Sequence, residues 1–86
     1  VLSIAPGRVV YADRFMGYGN LVVIDHLDGY YSLYGHLAEI LVSVGKEIIE
    51  GRIIGRIGES GSLSGPMLHF ELRKDGKPVD PLAYLK

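Results

Sequence analysis

The chain contains no cysteine, which excludes a disulfide framework and any thiolate-ligated metal and leaves the redox compartment open. Charge of one sign is equally lacking: nine Lys and Arg stand against ten Asp and Glu, for a net charge of −1. The basic residues are scattered, so no stripe suits nucleic acid or an anionic membrane surface. No apolar run approaches the roughly 18 residues of a membrane span, and no signal peptide precedes the first apolar residues. Helical periodicity is almost absent, as is any long-period repeat.

Glycine is what the chain has in quantity, 12 in 86 residues, about twice the usual share. The glycines are spaced along the chain, as turn punctuation between short strands rather than as a linker. A chain of this length makes one domain, 1–86, and buries roughly 60–65% of the surface its unfolded form exposes. Val1 leads directly into an apolar, strand-like run, which reads as the middle of something. The expectation is therefore a fragment of a longer protein that lacks the first strands of its fold.

The strands are read from β-branched runs and turn signals. "GRVVYAD" (Gly7–Asp13) follows Pro6 as a first strand, and "DRFMGYGN" (Asp13–Asn20) is a turn-rich loop. "NLVVIDH" (Asn20–His26) and "YYSLYGH" (Tyr30–His36) flank Asp28-Gly29, the strongest short hairpin signal in the chain. "LAEIL" (Leu37–Leu41) is the one place where a single helical turn is expected. Two short apolar runs follow, broken at Gly45-Lys46 and Glu50-Gly51, then a strand over Met67–Arg73 and a turn at Asp75-Gly76. The closing "PVDPLAYL" is expected to pack back on the body. About seven short strands with glycine turns argue an all-β fold, a small antiparallel sandwich or barrel-sandwich hybrid. The cadence of "VSVGKEIIEGRIIGRIG" also suits a lipoyl or biotinyl carrier. Such a carrier needs a lysine at an exposed hairpin tip, and the Asp75-Gly76-Lys77 tip lacks the residues that surround one.

Three histidines carry most of the chemical potential. Alternation along Met67–Arg73 sets Met67, His69, Glu71 and Arg73 on one face and Leu68, Phe70 and Leu72 on the other. The apolar triplet faces the core, so His69 stands beside Met67 and Glu71 where a site can be built. A lone strand histidine is more often structural or solvated than a ligand. The same alternation groups His36 with Tyr30, Ser32 and Tyr34. His26 reads as a strand-end residue bonded locally around Asp25 and Asp28, without a functional role. A catalytic zinc needs three protein ligands and a structural one four, and His36 with His69 cannot supply them. Ser60, Ser62 and Ser64 form no nucleophile elbow, and their loop has no P-loop lysine.

Set end to end, "APGRVVYA", "GYGNLVVIDH", "DGYYSLYGHL" and "VSVGKEIIEGRIIGRIGESG" through "LSGPMLHFELRKDGKPVDPLAYL" resemble the LytM/lysostaphin-type zinc endopeptidases, which cleave peptide cross-links in peptidoglycan. The resemblance implies a small antiparallel β fold, the duplicated hybrid motif, with a groove across one sheet. Active members hold zinc through an H-x-x-x-D motif and the second histidine of a later H-x-H; that histidine matches His69. The histidine of the family's Y-x-H-L block, which flanks the metal-bound water, matches His36. Met67 stands where the other catalytic histidine belongs, and the H-x-x-x-D motif has no counterpart from Val1 onward.

Met67 is the weightier departure. A thioether neither takes nor gives a proton, and losing such a group costs about two to four orders of magnitude in rate. The chain resembles, around "ADRFMGYG" and "SLYG", the degenerate members of the family, which keep the groove, lose the metal set and activate cell-wall amidases. The resemblance implies a non-catalytic regulator in the periplasm or cell wall, with His36 and His69 as relics. Its expected partner is a cell-wall amidase or another envelope protein, with peptidoglycan a further one. No cofactor is expected, and zinc only where an H-x-x-x-D motif precedes Val1, in which case the chain is a peptidoglycan endopeptidase. Phe15 and Met16 either tuck against the core edge or stand exposed; exposed, with Tyr18 beside them, they are natural anchors for a partner.

Overall fold

The computed structural model describes residues 1–57 and 68–79. Seven strands appear among them: β1 (Gly7–Phe15), β2 (Gly19–Asp25), β3 (Tyr30–Ile40), β4 (Glu47–Ile48), β5 (Gly55–Ile57), β6 (His69–Lys74) and β7 (Lys77–Val79). All pairings are antiparallel, in the order β4-β1-β2-β3-β6-β7, with β5 also on β3. The all-β expectation therefore holds. The expected packing of the closing tail falls on residues outside those described.

Local chemistry explains the hairpins. Between β2 and β3 the turn carries positive φ at Leu27, Asp28 and Gly29, and is closed by Tyr30 N–H to Leu27 C=O at 3.1 Å and His26 N–H to Tyr30 C=O at 2.9 Å. Between β1 and β2, Tyr18 N–H donates to Phe15 C=O at 3.0 Å, which makes Gly17, at φ 86°, the third residue of a tight turn that requires positive φ there. β1 runs two residues and β2 one residue closer to this turn than expected from the sequence, leaving a tip of only Met16, Gly17 and Tyr18.

β3 is the spine of the sheet. Its first half, Tyr30–Gly35, pairs with β6, and its second half, Leu37–Ile40, pairs with β5. That second half contains the expected helical turn, which is instead extended strand. Leu37 is fully buried and the ladder to β5 supplies the backbone bonds a lone turn would have made. Tertiary pairing outweighs the weak helix preference of Leu-Ala-Glu-Ile-Leu.

The core lies on one face of β1, β2 and β3, where Val9, Val22, Ile24, Tyr34 and Leu37 meet Ile48 and Ile54. Each large side chain so buried contributes about 1.5–3 kcal/mol. Residues 1–3 do not begin a long strand. They cross this core antiparallel to residues 51–55, joined by Ile54 N–H to Val1 C=O, Ser3 N–H to Arg52 C=O and Gly51 N–H to Ser3 C=O at 2.9–3.0 Å, with a single bridge between Leu2 and Ile53. One face of the sheet is thereby closed, and the other is left to carry the site.

Candidate functional site

Register decides which residues reach the open face. Gly35 pairs with His69, Leu33 with Glu71 and Tyr31 with Arg73, whereas Tyr34 pairs with Phe70 and Ser32 with Leu72. Directly opposed residues share a face, so His69, Glu71 and Arg73 stand together on the side away from the core. Leu72 is buried, and Leu68 and Phe70 pack against the core cluster, as the alternation required.

His36 reaches the same face by a different route. Val22 pairs with Tyr34 and Asn20 with Leu37, leaving Leu21 opposite both Gly35 and His36. This is a β-bulge, which adds one residue and re-aims the side chains that follow. His36 sits there at φ 59° and donates its N–H to Tyr18 C=O at 2.7 Å. Its ring meets His69 edge to face, with centroids 5.7 Å apart. Grouping His36 with Ser32 and Tyr34 is therefore corrected: the bulge breaks the alternation on which that grouping rested.

Around His69 the side chains form a closed set of bonds. His69 Nε2 lies 2.7 Å from Glu71 Oε1, Tyr18 O–H donates to the same oxygen at 3.1 Å, and Arg73 Nε donates to Glu71 Oε2 at 2.9 Å. The His69 bond, with Arg73 and Tyr18 adding to it, holds the Glu71 carboxyl below the usual glutamate range, against an opposing effect of burial. The Glu71 carboxylate in turn raises the Arg73 guanidinium above its ordinary value. An ionised carboxylate only accepts hydrogen bonds. His69 must therefore carry its proton on Nε2, and in the neutral ring Nδ1 is the lone-pair nitrogen.

Gly35 makes room for this arrangement. A Cβ there would lie 3.2 Å from the Tyr18 carbonyl oxygen and 3.4 Å from both Tyr18 Cδ1 and His69 Cβ. Tyr18 thus lies against the strand, its ring 5.3 Å from that of His69 and 5.9 Å from that of Phe15. Phe15 also meets Tyr11 at 5.8 Å. Phe15 is half exposed and Met16 is 93% exposed, which settles the alternative left open for this pair. A run of rings leads from the exposed turn to the histidine pair.

His26 is elsewhere. Its Nδ1 lies 2.7 Å from Pro6 C=O and its Nε2 2.6 Å from Ser32 Oγ, so it ties residues before β1 to the buried face of β3. The expected local bonding around Asp25 and Asp28 is corrected: the ring partners are Pro6, 20 residues back, and Ser32, across the β2–β3 hairpin. Met67 lies outside the described residues.

This donor set falls short of what a resident zinc requires. Among the described residues no group of three or more His, Cys, Asp and Glu side chains could hold a metal ion, and zinc needs at least three protein ligands. A carboxylate on the far nitrogen of a ligating histidine is a common supporting arrangement, and His69–Glu71 has that form. The described residues do not by themselves fit the metal.

Of the residues now in the site, His36, His69 and Tyr18 were nominated from sequence. Glu71 and Arg73 were not nominated, although the period-two alternation that placed His69 placed them beside it.

Comparison with known proteins gives concordant matches. The model of peptidase family M23 matches residues 1–81. The murein hydrolase activator EnvC of Escherichia coli is 45% identical over 85 residues, 99% of this chain and 20% of that protein. The murein hydrolase activator NlpD of the same organism is 45% identical over 86 residues, 99% of this chain and 22% of that protein. The chain thus spans about a fifth of these curated relatives. Among solved structures, a mutant catalytic domain of the prophage-encoded M23 protein EnpA from Enterococcus faecalis superposes with TM-score 0.88 at 34% identity, covering 98% of this chain and 68% of that one. The catalytic domain of lysostaphin from Staphylococcus simulans gives TM-score 0.88 at 32% identity, with 99% and 68% covered.

Proposed function

Because the chain belongs to peptidase family M23, we propose that it is a regulatory rather than a cleaving member, one that binds and activates peptidoglycan hydrolases of the amidase kind in the cell envelope. The observation that carries this reading is the 45% identity, across 99% of the chain, to proteins named as murein hydrolase activators. The site chemistry supports it. His36 and His69 remain in contact, the family resemblance implies that Met67 stands in the sequence where a catalytic histidine belongs, and a thioether has no part in acid–base chemistry. Glu71 takes hydrogen bonds from His69, Tyr18 and Arg73 at once, which gives the face a fixed shape suited to recognition. Its docking surface is the exposed Phe15–Met16 turn continuous with Tyr18 and the histidine pair, apolar anchors beside a charged, hydrogen-bonded floor.

The test is stimulation of a purified cell-wall amidase on labelled peptidoglycan. The unmodified domain is expected to raise amidase release, and Phe15→Ala with Met16→Ala to lower that stimulation at least several-fold. Stimulation unchanged by both variants would remove the turn from the docking surface; none by the unmodified domain would sink the regulatory reading.

A second reading is favoured by the superposition on M23 catalytic domains and by the His69–Glu71 bond. It is a zinc endopeptidase whose remaining ligands precede Val1, and its signature would be cross-link cleavage by a longer chain carrying an H-x-x-x-D motif.

A further inference from the structure

The outer edge of β1 poses a hazard that the paired strands of the sheet do not share. β1 pairs with β2 along its length but with β4 only at Gly7 and Arg8. Val9 adds bonds to Gly45 and Lys46 on the same side. Beyond that point, from Tyr11 to Phe15, no strand pairs with the outer edge among the described residues. An uncovered edge of this kind is a template for another strand. Exposed apolar side chains at Val10, Phe15 and Met16 make it an inviting one.

The backbone of Arg14 is handled unusually. Its N–H donates to Asp13 Oδ1 at 2.7 Å, and its C=O accepts from Tyr11 O–H at 2.8 Å. Both main-chain groups of one residue are thus bonded by side chains of their own strand. In an antiparallel ladder every second residue turns its N–H and C=O away from its partner strand, and Arg14, paired with Asn20, holds such a position. The Tyr11 ring is fixed for this purpose by its edge contact with Phe15 at 5.8 Å.

We propose that Tyr11 and Asp13 close the β1 edge against pairing with a second copy of this chain. A second copy is the natural occupant because an edge pairs with itself antiparallel about a two-fold axis, and both copies then present the same groups. Closure at Arg14 interrupts that ladder in both copies at once. The consequence is a monomer whose Phe15–Met16 turn stays uncovered.

The experiment compares the unmodified chain with Tyr11→Phe/Asp13→Ala by sedimentation velocity over a concentration series, with amide hydrogen exchange read at Ala12 and Arg14. The unmodified chain is expected to remain monomeric. The double variant is expected to self-associate with a constant at least about tenfold larger, from two backbone groups released for pairing, and to gain protection at Ala12 and Arg14. A double variant that stays monomeric with an unchanged circular dichroism spectrum overturns the proposal, as does an unmodified chain that already dimerises with those amides protected. Should the double variant lose its fold, Tyr11→Phe alone removes only the hydroxyl, keeps the ring contact, and decides by the same two readings.

Discussion

The imidazoles of His36 and His69 meet edge to face with centroids 5.7 Å apart, and a β-bulge at Gly35 and His36 is what brings them together. His36 holds φ 59°, a left-handed conformation that costs a non-glycine residue about 1–2 kcal/mol. Leu27, Asp28 and Asp75 also hold positive φ, but in turns, whereas His36 does so inside a strand. His36→Gly is therefore expected to unfold at a higher denaturant concentration than His36→Ala, by about 1 kcal/mol. Equal stability of the two variants in urea titrations would contradict the strain.

Glu71 links the site to pH. Its carboxyl is held below the usual glutamate range, first by His69 and then by Arg73 and Tyr18. A folded-state pKa below the unfolded one means that the ionised carboxylate stabilises the fold. That contribution is complete above the unfolded value and is lost as pH falls through the folded value. Thermal melts from neutral pH down through the carboxylate range should show Glu71→Gln losing less stability on acidification than the unmodified chain. Parallel curves would remove Glu71 from the acid limb.

Gly35 is predicted to resist substitution. A Cβ at 3.2–3.4 Å from Tyr18 and His69 must push one of them aside, and such overpacking costs about 1–3 kcal/mol. Gly35→Ala should therefore lower the melting temperature and weaken amidase stimulation together. A variant with unchanged stability and stimulation would show that Tyr18 yields freely.

His26 carries a purely structural prediction. Ser32 is fully buried and its hydroxyl bonds to His26 Nε2 at 2.6 Å. His26→Ala leaves that hydroxyl without this partner, at a cost of about 1–3 kcal/mol, and frees Pro6 C=O as well. Urea unfolding measures the loss, and amidase stimulation by the folded fraction should be retained.

Much of this molecule was legible in its sequence where the cause is local. Asp28-Gly29 set the β2–β3 turn through its own backbone preferences, and period-two alternation placed Leu72 inward and His69 with Glu71 outward. The failures share a non-local cause. Leu37–Ile40 favours a helical turn weakly by itself, and only the ladder to β5 keeps it extended. The face of His36 was misread because a bulge shifts alternation by one residue, and nothing in "YGHL" announces which residue is extra. The partners of His26, Pro6 and Ser32, lie on other elements. Arg73 and Glu71 stood on the right face from the start, but their bond to each other and to Tyr18 becomes visible only once the β1–β2 turn is folded over Gly35.

The most direct measurement is chromatographic analysis of the fragments released from purified peptidoglycan by the domain alone with added zinc, by an amidase alone, and by the two together. A regulatory domain predicts no cross-link cleavage products in the first case, and in the third the amidase's own products in amounts well above the second. Cross-link cleavage products from the domain alone, or mixtures that release no more than the amidase by itself, would contradict it.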